Sequence, residues 1–190
     1  DSTLELVVDL RLAFGRLLAA LGANERAEKE HLDTAELSLS QGWTETACAA
    51  LALASHAAQA RGDRASSGRA WHQCRDAMES WPMNRPGERC GILVDAVGDP
   101  LVAVQVLSAL AEVLVDGVEE DHSRAPIIRE IISRASEQAS RCVSPPQGAV
   151  ESLARVEERI APYGRGRGGR RRPGSTTTIT TDGQAAAGGK

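Results

Sequence analysis

Glu28-Lys29-Glu30-His31 and Glu119-Glu120-Asp121-His122 each hold a Glu-x-x-His spacing. On a helix that spacing puts a carboxylate and an imidazole on one face. Two such pairs, with one inward Glu from each of two further helices, build di-metal carboxylate centres inside helical bundles. The second pair fails the geometry, because it falls in the connection ahead of Ser123 and Pro126. The extra carboxylates are also badly placed, with Glu5 near a chain end and Glu112 only seven residues before Glu119. Acidic residues just ahead of a helix are better read as partners of its N-terminal dipole.

His72, Cys74 and Cys90 are the only grouping suggestive of zinc. Residues two apart on a helix point about 200° away from each other, so His72 and Cys74 cannot face one ion. Ser, Cys and His are present, but no nucleophile elbow frames them. Gly166-x-Gly168 lies between arginines rather than between a strand and a helix, so it is not a phosphate loop. The expectation is a chain with no catalytic residues, no metal and no cofactor.

Arg165, Arg167, Arg170, Arg171 and Arg172 place five guanidiniums in eight residues. Such a segment neutralises phosphates without reading sequence. No aromatic interleaves with the arginines, which argues against base stacking, and a solubilising tail is the plainer reading. Trp43, Trp71 and Trp81 are the other candidates, as protein-interface anchors, since Trp is enriched at binding hot spots. Filling gaps in an alanine-rich core is the competing role.

The elements that position these groups are helices. Val7, Leu10, Phe14, Leu17 and Leu21 recur at spacings of 3, 4, 3 and 4, a single helical stripe expected to face the core over residues 4–21. Asn24 is the expected N-cap of a second helix ending near Leu39, with Ala27, Leu32, Ala35 and Leu39 inward. Thr44 is expected to cap an alanine-rich third helix that stops at Arg61-Gly62-Asp63. Ser66-Ser67-Gly68 reads as a loop before a fourth helix carrying Ala70, Cys74, Ala77, Met78 and Trp81 on one side. Pro82 ends that helix.

A short helix over 88–97 follows, then Asp99-Pro100 as a cap and restart. Leu101 to Val118 is the most apolar segment and reads as the central buried helix, although 101–106 also alternates like a strand. Helix 124–142 turns Ile128, Ile131, Ala135, Ala139 and Cys142 inward. A last helix carries Val150, Leu153, Val156 and Ile160 before Pro162.

Ala35, Gly42, Ala47, Leu51 and Ala54 loosely resemble the small-residue spacing of one tetratricopeptide unit. A 34-residue step from Gly42 lands on Asp76 and from Ala47 on Trp81, so the pattern does not recur and no array is implied. The same stretch mimics a DNA-binding helix-turn-helix. Its second helix, however, offers alanine and leucine where a recognition helix needs side chains that reach base edges.

Hydrophobic residues make up 42% of the 190 and aromatics only 3%, so the core must be Ala, Leu, Val and Ile. Net charge is −4, divided between a body of −9 over 1–164 and a tail of +5 over 165–190. Cys48, Cys74, Cys90 and Cys142 form no Cys-x-x-Cys and read as reduced thiols of a cytoplasmic protein. No stretch of about 18 uncharged apolar residues is present to span a membrane.

The expected architecture is all-α: an up-and-down bundle or helical-hairpin array of six to eight helices over 1–163, then a disordered Arg/Gly/Thr-rich tail over 164–190. The expected function is non-catalytic, binding a protein partner or a second copy through a helix face. The alternatives are weak nucleic-acid association through the tail and, last, a helical metal-binding protein or enzyme.

Overall fold

The computed structural model describes residues 2–163, and the arginine-rich tail lies outside them. The described residues form eight α-helices and no strand. They are α1 (Ser2–Ala20), α2 (Asn24–Ser40), α3 (Thr44–Ala60), α4 (Arg64–Glu79), α5 (Pro86–Val97), α6 (Pro100–Val115), α7 (Arg124–Arg141) and α8 (Gln147–Ile160). A 3₁₀ turn, Ala161–Tyr163, closes the series.

The first four helices are joined by three copies of one turn, spaced twenty residues apart at Gly22, Gly42 and Gly62. In each, the glycine takes a positive φ (77°, 74° and 85°) that an L-side chain rarely adopts. Its N–H and that of the next residue turn back on the helix just finished. Gly22 donates to the Ala19 carbonyl (3.0 Å) and Ala23 to that of Leu18 (2.9 Å). Gly42 and Trp43 repeat this on Leu39 and Ser38, as do Gly62 and Asp63 on Gln59 and Ala58. This is the Schellman ending of a helix. The residue after each glycine immediately precedes the next helix, so α1 to α4 run up and down in a row.

These turns correct three sequence expectations. Asn24 and Thr44 are first helical residues rather than caps, because Ala23 and Trp43 already hold the flanking position and neither offers a side-chain cap. Ser66-Ser67-Gly68 is not a loop. Asp63 accepts from the Ser66 N–H (2.9 Å) and starts α4 two residues ahead of that serine.

Two helices are enclosed. α3 packs against α2, α4, α5 and α6, and α6 against α4, α5, α7 and α8. Both are apolar nearly all round, as a helix surrounded by protein must be. The strand-like alternation at 101–106 gives way to helix because Asp99 accepts from the N–H groups of Leu101 and Val102 and Pro100 fixes the first turn. One core runs through all eight helices, from Val8 and Leu12 to Val156 and Ile160.

The outermost helix departs from expectation. α1 buries Val8, Leu12, Gly15 and Leu18, and the stripe of Val7, Leu10, Phe14, Leu17 and Leu21 faces outward. Two apolar faces compete on this helix. The one holding Gly15 wins because α2 can approach the missing side chain closely. On α2, Ala27 and Ala35 are buried as expected, but Leu39 is half-exposed and Glu28, His31, Thr34 and Ser38 are buried instead. α2 lies between α1 and α3, so these residues are enclosed, and Glu28, Thr34 and Ser38 are hydrogen-bonded. Thr34 Oγ1 donates to the Glu30 carbonyl (2.6 Å) and Ser38 Oγ to that of Thr34 (2.8 Å).

Candidate functional site

At 100° per residue, the outward side of α1 is an arc of about 140° holding Leu6, Val7, Leu10, Ala13, Phe14, Leu17, Ala20 and Leu21. No charged residue falls within it. The large side chains are well exposed: Leu6 58%, Leu10 60%, Phe14 45%, Leu17 54% and Leu21 73%. Charges do flank the arc, but two of them are turned back onto this chain. Arg11 Nε pairs with Glu30 of α2 at 2.8 Å, and Arg16 Nη1 donates to the Ala96 carbonyl at the end of α5 at 2.5 Å. An ordinary surface helix shows water its charged side. This one shows water a second greasy face.

A concave feature lies between α2 and α4, where α3 forms the floor. This groove of about 620 Å³ has Leu32, Leu39, Leu51 and Ala77 along its bottom, with Glu36 and Arg69 among its rim residues. Another, of about 760 Å³, opens between α4, α6 and the start of α8 and is lined by Trp71, Arg64, Arg75 and Gln105. Beside it Glu112 accepts from Arg75 (2.9 Å) and from the Ser152 hydroxyl. Burial pushes the Glu112 carboxyl up, but those two hydrogen bonds together with the positive Arg75 and Arg155 hold the group below its usual range.

The residues singled out by spacing are not gathered into one site. Glu28 accepts from Arg61 Nε and Nη2 at 2.9 and 2.6 Å, tying α2 to the end of α3. His31 is buried against Gly15. Burial, and then the positive Arg16, lower its pKa from 6.5 to about 4, so the ring stays neutral. Glu119 and His122 lie in the connection before α7, where His122 stacks on Tyr163 with ring centroids 4.8 Å apart. Among the described residues, no three His, Cys, Asp or Glu side chains are grouped to hold a metal.

Cys74 is buried but belongs with Cys48 rather than His72, which is exposed. Cys74 Sγ donates to the Cys48 carbonyl (3.4 Å), and Cys48 Sγ leans on that of Cys74 (3.9 Å), where α3 crosses α4. The hydrogen bond with Cys48, then burial, pushes the Cys74 thiol well up. Burial likewise carries the Cys90 thiol up to about 12. Protonated buried thiols are poor nucleophiles.

The three tryptophans separate. Trp81 is 3% exposed and fills the core, so it offers nothing to a partner in the folded chain. Trp43 and Trp71 are half-buried against that core, Trp43 at the α2–α3 turn and Trp71 at the polar cleft. Arg165, Arg167, Arg170, Arg171 and Arg172 lie outside the described residues. The residues that sequence reasoning missed are those of the α1 face. The stripe was visible, but the signal that it is a surface was subtler: a second apolar stripe, centred on Leu12 and Gly15, on the same helix.

Among the described residues, no helix is long and apolar enough to cross a membrane. No family, curated protein or solved structure matches the chain.

Proposed function

We propose that this protein is a non-catalytic helical interaction module that docks through the outward face of α1. The observation that carries this reading is the uncharged arc from Leu6 to Leu21, whose large side chains are about half exposed although the helix already has a buried face. Monomeric proteins rarely leave a contiguous apolar patch of more than a few hundred Å² in water, and larger ones mark binding sites. Four buried polar groups fit the same reading, since Glu28, Glu45, Ser55 and Ser108 are each engaged by a partner from elsewhere in the fold. Four free cysteines fit a reducing compartment such as the cytoplasm.

The test is a photocrosslink. Phe14 is replaced by benzoylphenylalanine in the full chain and irradiated in the cells that make it, with Gln73 replaced as the control. The expected result is a discrete adduct from position 14, with a second copy or another protein, and none from position 73. No adduct from position 14 sinks the reading.

A second reading rests on the five arginines between Arg165 and Arg172 set against a body of charge −9. It predicts weak, salt-sensitive binding of single-stranded nucleic acid that disappears when residues 165–172 are deleted. Equal binding by the deleted form removes it.

A further inference from the structure

The docking reading leaves the occupant of the α1 face open. We infer that the occupant is a second copy of this chain, with two α1 helices packed antiparallel across a two-fold axis between Leu10 and Phe14. This rests on that reading and adds its partner. Three features of the face carry it.

The first is area. Leu6, Val7, Leu10, Phe14, Leu17 and Leu21 are between 41% and 73% exposed. Together they put on the order of 600 Å² of hydrocarbon into water, the upper end of what a monomer carries. Two copies meeting there would cover about 1,200 Å², where stable protein interfaces begin.

The second is the pattern. Val7, Leu10, Phe14, Leu17 and Leu21 follow the 3-4-3-4 spacing of a coiled-coil seam. The 3-4-3 run from Val7 to Leu17 reads alike in both directions about the midpoint between Leu10 and Phe14. An antiparallel copy therefore meets it layer by layer: Val7 on Leu17 of the second copy, and Leu10 on Phe14. Alongside, at the flanking seam position where exposed coiled coils carry charge, this helix has Leu6, Ala13 and Ala20. Two alanines there let the helix axes approach.

The third is charge. The body carries −9, so most pairs of surface patches on two copies would repel. The α1 arc is free of charge, and Arg11 and Arg16 beside it are held by Glu30 and the Ala96 carbonyl of their own chain. Antiparallel helices also set their dipoles head to tail. A two-fold pair would extend the row α4–α3–α2–α1 into its own copy, and it closes, because one face serves both partners.

The experiment uses the purified full chain, followed by light scattering and sedimentation equilibrium over a wide concentration range. A dimer is expected. Leu10→Glu and Leu17→Glu each put a charge into the seam and are expected to weaken the dimer by more than about 100-fold. Their helical circular dichroism should be unchanged, because both side chains point away from the core. Orientation is read by oxidative crosslinking in a Cys142→Ser background. Leu10→Cys should crosslink to Phe14→Cys in a mixture, and Val7→Cys should crosslink to Leu17→Cys in a mixture but not to itself.

A strictly monomeric chain overturns the dimer. If Phe14 benzophenone then still captures another protein, the docking reading survives while the self-pairing fails. A dimer untouched by both glutamates uses another surface and also overturns the proposal. So does growth past the dimer that Leu39→Glu abolishes, which would place α1 in the α2–α4 groove of the next copy.

Discussion

Gly15 of α1 lies directly on the imidazole of His31 in α2, so close that a Cβ added to the glycine would overlap three atoms of the ring. The contact fixes which side of α1 turns inward. Only a glycine gives the ring room, and once it is seated, Val8, Leu12 and Leu18 follow into the core. The larger stripe of Leu10, Phe14 and Leu17 is left outside. One small residue thus decides which apolar stripe of α1 stays in water.

Gly15→Ala should destabilise the fold by about 1–3 kcal/mol, because the ring is buried and cannot move away freely. The sign is informative. In an exposed helix interior the same change gains about 0.5–1 kcal/mol. Gly91 of α5, which has nothing within 4 Å of the position a Cβ would take, should behave that way. Urea unfolding of both variants checks the contrast, and Gly15→Ala combined with His31→Ala should recover part of the loss.

Stability should fall as the pH drops from about 6.5 toward 4. The folded pKa of His31 lies below its unfolded value, so in this window the unfolded chain takes up a proton that the native ring refuses. The His31 contribution is fully present above pH 6.5 and is lost as the pH approaches 4. The shift corresponds to at most about 3 kcal/mol. The ring Nδ1 has no hydrogen-bond partner. His31→Leu should therefore flatten this part of the pH profile without a large loss at neutral pH. Urea midpoints at pH 7.5 and 4.5, compared between the two proteins, measure it.

Thiol reactivity should be uneven. Cys48, Cys74 and Cys90 are fully buried and Cys142 is half-buried at the end of α7. A disulfide reagent should titrate one thiol readily in the native chain and all four after denaturation. Cys142→Ser should remove the fast phase. Rapid native labelling of Cys48 or Cys74 would show that the α3–α4 crossing opens.

Glu45, 6% exposed in the first turn of α3, pairs with Arg89 of α5, whose Nε also donates to the Asn84 carbonyl (2.9 Å). Glu45→Ala leaves the guanidinium partly buried without its anion and should cost about 2–4 kcal/mol. Because the pair ties α5 to α3, hydrogen exchange in α5 should rise more than in α8. Equal acceleration in both helices would mean that the pair has no local role.

Most of the helical architecture was written locally. Gly22, Gly42 and Gly62 end helices by a backbone conformation that only glycine takes freely, and Asp99-Pro100 starts one by capping chemistry that needs no distant partner. Spacing placed Cys74 of α4, Ile131 of α7 and Val156 of α8 inward, because each helix has a single apolar side, but near the helix ends it failed: Val150 is exposed, and Gln138 is buried where Ala139 and Cys142 were expected.

Where a helix had two candidate faces, or lay between two neighbours, the sequence alone could not choose. Periodicity weighs side-chain size, and on α1 it favoured Leu10 and Phe14 over Gly15. The tertiary structure chose by clearance instead, because close packing on His31 needs an absent side chain. It also enclosed Glu28, Thr34 and Ser38 of α2 between α1 and α3, where hydrogen bonds rather than hydrophobicity make burial tolerable. Local chemistry therefore set the helices and their order. Long-range fit decided which surface stayed exposed, because a face is buried or exposed only relative to the helices that reach it.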